Sequence, residues 1–189
     1  MTDNIQAVAI GGSAGSIKVL IKFFSSLPSL QVPIFLVIHR HKASSKDLAD
    51  YFDQLTEMKV QDGEDKEPVK KGTVYLAPPC YHMMVDEDKL ISLSVDSPVE
   101  YAIPSIDVTF ESVANVYKEN TLAILLTGAN EDGTNGLKTV KEYDGICIVQ
   151  DPNEAENSIM PNSAIDKVQI DYIYSIEEIK KYLTGLKEY

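Results

Sequence analysis

The sequence predicts an α/β fold in which a doubly wound, mostly parallel sheet is flanked by helices. Short apolar runs alternate with helix-like segments along the 189 residues, an alternation typical of parallel sheets. The runs "PIFLVIH" (33–39) and "TLAILLTG" (121–128) are apolar at most positions, as central strands covered on both faces are. Residues 59–95 differ, because short strand-like runs and turn residues follow one another there. They predict a small β-rich hairpin insertion around residues 60–95, within a single domain that spans residues 1–189.

Hydrophobic periodicity and turn residues locate the remaining elements. Ser44 is the predicted N-cap of a helix with Asp47 in its first turn, and Ser105 is the predicted N-cap of another. The predicted strands cover residues 7–10, 33–39, 121–128 and 145–151, and the predicted helices cover residues 16–27, 44–55, 105–120, 134–144 and 177–187.

Charge and apolar content argue against several classes of protein. The formal net charge is −12 at pH 7, whereas nucleic-acid binding needs a basic surface, so no nucleic-acid partner is expected. No apolar run approaches about 18 residues and the N-terminus does not look like a signal peptide, so no membrane insertion is expected. Cys80 and Cys147 have no metal-ligand spacing. We therefore expect free thiols in a reducing cytoplasm, and no metal site.

Three predicted strands end in loops that carry reactive side chains. These loops are "GGSAG" with Ser13, "HRH" with His39, and "GANEDG" with Asp132. In doubly wound sheets, sites form just beyond the carboxyl ends of the strands. If the topology gathers these loops along one edge, serine, histidine and aspartate form a constellation suited to acyl transfer.

The loop around Ser13 has two functional interpretations and one structural one. "GGSAG" matches the G-x-S-x-G pattern, in which small neighbours let the chain turn sharply and expose the serine hydroxyl as a nucleophile. A phosphate-binding loop would need G-x-G-x-x-G or a following lysine, and "GGSAGS" has neither. The structural interpretation is that Ser13 or Ser16 only caps the next helix.

The histidine and the acid also have competitors. His39 directly follows a buried run, His41 lies further into the loop, and His82 lies in the β-rich part. Histidine is the side chain that can accept a serine proton near neutral pH, and the position at a strand end favours His39. Asp132 is preferred over its neighbour Glu131 as the acid that orients the imidazole, although "EDG" is also ordinary turn chemistry.

Taken together, these segments resemble the catalytic domain of the chemotaxis protein-glutamate methylesterases, the CheB family. The resemblance covers most of the chain, and six short motifs occur in the family's order. They are "IGGSAGS" (10–16), "LVIH" (36–39), "GTVYLAPPCYHMMV" (72–85), "PSIDVTFESVA" (104–114), "LLTGANEDGTNGL" (125–137) and "VQDPNEAENSIMPNSAI" (149–165).

The resemblance implies a triad of Ser13 as nucleophile, His39 as general base and Asp132 as orienting acid. It implies hydrolysis of glutamate γ-methyl esters, and also deamidation of glutamine, on the cytoplasmic signalling helices of methylated chemoreceptors. The backbone N–H groups of Ala14 and Ala129 are the oxyanion donors expected by location and analogy. No cofactor is implied, and the segment from Pro78 to Met84 is expected to shape the mouth of the site.

Several positions depart from the family's usual pattern. Ala14 stands where threonine is usual, Ser16 replaces a glycine, and Ile103 replaces an arginine. The histidine is followed by Arg40-His41-Lys42 rather than by Met-Pro-Pro. Ser13 lies too near the start for the family's receiver domain to precede it, so a response-regulator partner acting in trans is one expected mode of control.

Two alternatives to an active esterase follow from the same residues. One is a catalytically weak or inactive module of the same fold that binds receptors or signalling partners, although such a module would not need Ser13, His39 and Asp132 together. The other is a nucleotide-binding domain, which leaves His39 and "GANEDG" without a role.

The net charge of −12 predicts how the chain meets an acidic partner. Receptor adaptation helices are themselves rich in glutamate, so long-range electrostatic steering is not expected. We expect weak docking that added salt leaves unchanged or assists, unless a basic patch of Arg40, Lys42 and Lys46 faces the substrate. Binding to a receptor fragment measured over a range of salt concentrations checks this, and an affinity that falls steeply with salt contradicts it.

Overall fold

A computed structural model describes residues 4–25, 27–39, 48–99 and 101–186. Ser44 and Asp47, the predicted start of a helix, lie outside these residues, as do Arg40, His41, Lys42 and Lys46. Within the described ranges, no helix combines the length and the apolar content needed to cross a membrane.

The strands form one large sheet and one hairpin. They are β1 (Ala7–Gly12), β2 (Ile34–Ile38), β3 (Lys59–Asp62), β4 (Thr73–Leu76), β5 (His82–Val85), β6 (Ile91–Ser94), β7 (Thr121–Leu125), β8 (Ile146–Gln150) and β9 (Tyr172–Tyr174). Seven of them pair in parallel in the order β3-β4-β2-β1-β7-β8-β9. The strands β5 and β6 pair antiparallel as a separate sheet. The predicted doubly wound α/β fold is therefore confirmed.

Helices cover both faces of the large sheet, which is why its central strands are apolar throughout. They are α1 (Ser16–Phe24), α2 (Leu48–Asp53), α3 (Ile106–Tyr117), α4 (Thr134–Glu142), α5 (Ile159–Lys167) and α6 (Ile176–Gly185). Successive side chains of a strand point to opposite faces, so Val8 and Ile10 join the apolar layer under α1, α2 and α6. Ala7 and Ala9 join the layer under α3, α4, α5 and the hairpin.

The hairpin is smaller than the sequence predicted. Residues 60–95 were expected to form one β-rich insertion, but β3 and β4 belong to the large parallel sheet. Only β5 and β6 form the separate hairpin. Val60, Val74 and Leu76 are buried in the same apolar layer as the central strands, and this burial draws β3 and β4 into the sheet.

Two elements near the C-terminus were not predicted. The helix α5 carries Pro161 at its third residue, where the missing N–H is tolerated because first-turn N–H groups have no partner within the helix. The strand β9 has three residues and lies at the edge of the sheet, with Tyr172 and Ile173 exposed. A proline early in a helix and a short, exposed strand both weaken the sequence pattern.

The strand order brings the three candidate loops together. In the sheet β1 lies between β2 and β7, and these three strands end at Gly12, Ile38 and Leu125. After β1 the chain forms β2 on one side of β1, and it later forms β7 on the other side of β1. The carboxyl ends of these strands therefore flank a topological switch point. The loops carrying Ser13, His39 and Asp132 all begin there.

We expect Gly136→Ala to lower the free energy of unfolding. Gly136 lies where α4 crosses α3, and an added Cβ would be 2.6 Å from Phe110 Cβ and 3.1 Å from the backbone of Asp107. Overpacking of this kind costs about 1–3 kcal/mol, more than the gain of about 0.5–1 kcal/mol in helix propensity. Urea unfolding followed by circular dichroism measures the difference.

Gly185→Ala is the matched control, because nothing lies within 4 Å of the Cβ it would add. We expect this control to be as stable as the parent or slightly more stable. A Gly136→Ala variant that matches Gly185→Ala in stability would contradict the close helix packing.

Candidate active site

The imidazole of His39 joins the other two candidate residues. His39 directly follows β2, and its backbone N–H donates to Gly12 O on the neighbouring strand at 3.2 Å. Its Nε2 lies 2.7 Å from Asp132 Oδ2, and its Nδ1 lies 3.2 Å from Ser13 Oγ. Since an ionised carboxylate can only accept, Nε2 carries the proton and Nδ1 presents a lone pair to the serine hydroxyl.

Ser13 lies on a tight turn between β1 and α1. Its backbone N–H donates to Thr127 O at 2.9 Å, and its carbonyl accepts from the backbone N–H of Ser16 at 3.0 Å and from the Ser16 hydroxyl at 2.6 Å. Gly15 has a φ of 83°, a left-handed conformation that glycine adopts without strain. The side chain of Ser13 does not cap α1, because Gly15 is the N-cap residue and no side chain caps this end. The hydroxyl therefore remains directed to His39.

Asp132, in the loop after β7, is completely buried against the N-terminus of α3. Its Oδ2 accepts from Ile106 N at 2.7 Å, and its Oδ1 accepts from Asp107 N at 3.0 Å and from Ser105 Oγ at 2.9 Å. Backbone N–H groups at a helix start have no partner within the helix and carry partial positive charge, so a carboxylate is stabilised there. Ser105 also caps α3 as predicted, since Oγ accepts from Val108 N at 3.4 Å.

The competing residues lie elsewhere. Glu131 is exposed and pairs with Lys167, as a solvated acid does. His82 is buried, where its Nδ1 accepts from Ser105 N at 3.2 Å and its Nε2 is 3.2 Å from Ser97 O. It therefore supports the start of α3 rather than contacting Ser13. His41 lies outside the described residues.

The pKa values of two neighbouring carboxyl groups, Asp132 and Asp107, are shifted in opposite directions. Burial alone would raise the pKa of Asp132, but hydrogen bonds from His39 and from the N–H groups of Asp107 and Ile106 hold that pKa below its ordinary value. Burial raises the pKa of Asp107; the hydrogen bond from Gly136 N–H opposes this, and the nearby charge of Asp132 adds to it. The arrangement keeps Asp132 ionised beside His39.

A cleft of about 910 Å³ opens above Ser13 and His39. Its apolar lining residues include Ile17, Ala102 and Ile103, and Tyr101, which also lines it, is fully exposed. The cleft is also lined by Ala14, Gly15, Lys18, Asn130 and Glu156. Lys18 and Glu156 form an ion pair of 2.7 Å whose side chains are mostly solvent-accessible.

The expected contribution of residues 78–84 to the mouth was wrong. Among the described residues that line the cleft, none comes from that segment, and His82 and Met83 within it are buried. Residues 101–103 line the cleft instead. The hairpin packs against α3 through contacts such as the bond that Thr109 Oγ1 donates to Met83 O at 2.6 Å.

Thr127 ties the serine loop to the loop before α5. Its hydroxyl donates to Ala14 O at 2.9 Å and accepts from Asn157 N at 2.9 Å. Its N–H donates to Oε1 of the buried Gln150 at 2.9 Å. These contacts, with the bond from Ser13 N, define the position of the Ser13 loop relative to β7 and β8.

The sequence profile of the CheB methylesterases matches residues 8–183. The chain belongs to the CheB methylesterase family.

Similar proteins are named as methylesterases. A putative protein-glutamate methylesterase/protein-glutamine glutaminase of Leptospira interrogans is 39% identical over 186 residues, which cover 98% of this chain and 96% of the relative. A protein of Clostridium acetobutylicum named protein-glutamate methylesterase/protein-glutamine glutaminase is 32% identical, and the match covers 98% of this chain but 55% of that protein. The crystal structure of the Thermotoga maritima CheB methylesterase catalytic domain aligns with a TM-score of 0.91 at 33% identity, covering 96% of this chain and 98% of that one.

Of the positions that depart from the usual pattern of the CheB family, the structure describes Ala14, Ser16 and Ile103. Ala14 and Ile103 line the cleft, and the Ser16 hydroxyl is turned inward to Ser13 O. Ala14 and Ala129 are both exposed, and within the described part of the chain no acceptor is bonded to either backbone N–H. Ala129 is not among the cleft-lining residues. Their role as oxyanion donors stays a prediction.

Sequence reasoning missed Thr127 and Asn130. Asn130 Nδ2 is 3.4 Å from His39 Nδ1, and its Oδ1 accepts from Asp132 N at 3.4 Å. Both residues lie in the loop between the end of β7 and Asp132. Their closeness in sequence to Asp132 was the one indication that they belong to the site. Within the described residues, no group of three or more histidine, cysteine or acidic side chains is arranged to hold a metal ion.

We expect Asp132→Asn to change how stability depends on pH. An unfolded aspartate has a pKa of about 3.9, and folded Asp132 lies lower, so the native state binds fewer protons. The resulting stabilisation is full above the unfolded pKa and is lost as pH falls through the folded pKa. The parent's free energy of unfolding should therefore fall more steeply below about pH 4 than that of Asp132→Asn. At pH 7 the variant should be less stable by about 1.5–3 kcal/mol, the usual value of hydrogen bonds to a charged group.

Glu131→Gln is the control for this pH series. The exposed pair of Glu131 with Lys167 contributes at most about 1 kcal/mol. We therefore expect the free energy of unfolding of Glu131→Gln to fall below about pH 4 as steeply as that of the parent. Urea titrations at a series of pH values measure both variants. If both variants lose the steep fall in the free energy of unfolding at acid pH to the same extent, that fall does not arise from the ionisation of Asp132.

Proposed function

We propose that this chain hydrolyses glutamate γ-methyl esters on the cytoplasmic signalling helices of chemoreceptors, with Ser13 as nucleophile, His39 as general base and Asp132 as orienting acid. Glutamine deamidation at the same site is part of the proposal, since the similar proteins of Leptospira and Clostridium are named for both activities. The activity is that of a serine carboxylesterase and needs no metal or cofactor in this scheme.

One observation carries the proposal. Ser13 Oγ, the His39 ring and the Asp132 carboxylate form an unbroken hydrogen-bonded chain at the base of a cleft. The buried acid is ionised, the imidazole lone pair is directed at the hydroxyl, and the hydroxyl faces space that a side chain can enter. This is the order of contacts that activates a serine for acyl transfer. The distance of 3.2 Å between Ser13 and His39 is typical of a triad without substrate.

The first half of the reaction forms an acyl-enzyme. Ser13 Oγ attacks the ester carbonyl carbon while His39 Nδ1 takes the hydroxyl proton, and the carbonyl electron pair moves onto oxygen. Asp132 stabilises the imidazolium through Nε2. When the tetrahedral intermediate collapses, the bond to the methoxy oxygen breaks and His39 gives its proton to that oxygen, releasing methanol.

The second half regenerates the serine. Water attacks the acyl carbon as His39 Nδ1 accepts one of its protons, and collapse returns that proton to Ser13 Oγ. The product is a glutamic acid side chain, which loses the remaining water proton to solvent and leaves as the carboxylate. With glutamine as substrate the same steps release ammonia in place of methanol.

The cleft suits a neutral, mostly aliphatic side chain. Ile17, Ala102 and Ile103 present apolar surface next to Ser13, which fits the methylene groups and the methyl ester. Among the described residues that line the cleft, the one ammonium group, that of Lys18, pairs with Glu156 rather than facing the product carboxylate unpartnered. This arrangement favours binding of the ester and release of the carboxylate.

The setting and the regulation of the reaction remain parts of the proposal. Both cysteines are free, with Cys80 exposed and Cys147 buried, which fits the cytoplasm where receptor signalling helices lie. A response-regulator partner acting in trans is the proposed mode of control. The exposed rim at Tyr101 and Ile17 is the surface offered to the receptor helix.

Methanol release from methylated receptor membranes tests the function. We expect the parent to release methanol and Ser13→Ala to release none above background, since removal of the nucleophile lowers kcat by about 10⁶-fold in a serine triad. Ser25→Ala, which removes an exposed hydroxyl bonded to Ile21 O, should retain the parent rate.

Each other outcome has a distinct meaning. Release by both the parent and Ser13→Ala would exclude Ser13 as the nucleophile. Absence of release from the parent, with folding intact by circular dichroism and with a response-regulator partner added, would favour the inactive binding module of the same fold; release only when that partner is added would support control in trans.

A further inference from the structure

Asn130 contacts the catalytic base on the nitrogen that must accept a proton. Its Nδ2 lies 3.4 Å from His39 Nδ1, the same atom that lies 3.2 Å from Ser13 Oγ. The side chain is half-buried and lines the cleft beside Ser13. Asn130 is therefore next to the reacting atoms and open to a bound substrate.

The orientation of the amide follows from its neighbours. Asp132 N–H is a donor, so the atom of Asn130 that faces it at 3.4 Å is the oxygen. That leaves the NH₂ group directed at Nδ1, which carries a lone pair because Nε2 donates to Asp132. Two donors, the Ser13 hydroxyl and the Asn130 amide, thus share one acceptor in the resting state.

This arrangement changes when the serine proton moves. Once Nδ1 is protonated it is a donor, and it can no longer accept from Asn130. At the same moment the attacked carbonyl oxygen, one bond removed from the carbon that Ser13 Oγ has joined, becomes an anion. Hydrogen bonds to an ionised acceptor are about twice as strong as those between neutral groups, so the released NH₂ group has a stronger acceptor within the same cleft.

We propose that the Asn130 side-chain amide is an oxyanion donor that leaves His39 Nδ1 as this nitrogen takes the Ser13 proton and then bonds the tetrahedral oxyanion. Asn130 thereby acts in the transition state and contributes little to ground-state binding. The inference rests on the proposed function for its reaction, and it supplements the predicted backbone donors Ala14 and Ala129.

Two variants separate this role from a structural one. Asn130→Asp keeps the shape and the oxygen that accepts from Asp132 N, but it replaces the donor by an acceptor. Asn130→Ala removes both contacts. Asn130→Asp also places a carboxylate beside His39 Nδ1, which favours the imidazolium, so kcat is compared on the high-pH plateau of each variant's pH–rate profile, where the imidazole is neutral. If Asn130 only supports the loop through Asp132 N, the plateau kcat of Asn130→Asp should match that of the parent; if it is an oxyanion donor, both variants should fail.

The assay is binding of butylboronic acid, followed by ¹¹B NMR, together with kcat and KM for methanol release. Boron forms a tetrahedral adduct on a serine Oγ and carries an oxygen in the position of the oxyanion. We expect both variants to bind the boronic acid about 10²-fold more weakly and to lower kcat by about 10²–10³-fold. KM should change by less than about threefold, because the lost bond exists only after attack.

The outcomes distinguish the inference from the function on which it rests. Boronic acid binding by the parent, lost in Ser13→Ala, shows a reactive Ser13 whether or not receptor esters are cleaved. If the two Asn130 variants then bind the boronic acid as tightly as the parent, or Asn130→Asp alone does, the inference is overturned while the esterase stands. If the parent forms no boronate adduct, the reactive serine and the oxyanion role are both overturned.

Discussion

The buried carboxylate of Asp132 is the contact on which the rest of the site depends. It accepts from the first two backbone N–H groups of α3, from the Ser105 hydroxyl and from His39. An unpaired buried charge would be expensive, whereas this one has a donor for most of its lone pairs. The same bonds join α3 to the loop after β7 and orient the His39 imidazole. One side chain therefore positions both the helix on one face of the sheet and the imidazole at the edge of the sheet.

Strand order provides the second constraint. Because β1 lies between β2 and β7, the loops after these three strands meet, although Ser13 and Asp132 are far apart in sequence. The backbone continues this pairing beyond the strands, through His39 N to Gly12 O and Ser13 N to Thr127 O. Ser13 and His39 are thus set by backbone bonds at the end of a rigid sheet. Their neighbours Thr127, Gln150 and Asn157 complete the support through buried polar contacts.

The fold could be read from the sequence where strong periodicity and burial coincide. The runs at 33–39 and 121–128 are apolar because helices cover both faces of β2 and β7, and Ser105 caps α3 because serine accepts from N–H groups at a helix start. Weak patterns failed. β3 and β4 resembled a local hairpin because the contact that places them in the sheet, the pairing of β4 with β2, joins segments far apart in sequence. β9 is too short and exposed to give a clear pattern, and Pro161 conceals the start of α5.

The sequence by itself determined that a serine, a histidine and an acid follow three buried strands, and its motifs indicated the CheB family. Composition and local pattern are sufficient for that, because strands and turns are encoded by neighbouring residues. Only the tertiary structure decided that Asp132 rather than Glu131 reaches His39, that residues 101–103 and not 78–84 line the cleft, and that Asn130 shares the imidazole lone pair. The neighbours Glu131 and Asp132 differ completely in burial, and their partners come from distant parts of the chain. Burial and hydrogen-bond geometry therefore distinguish the two acids where residue type does not.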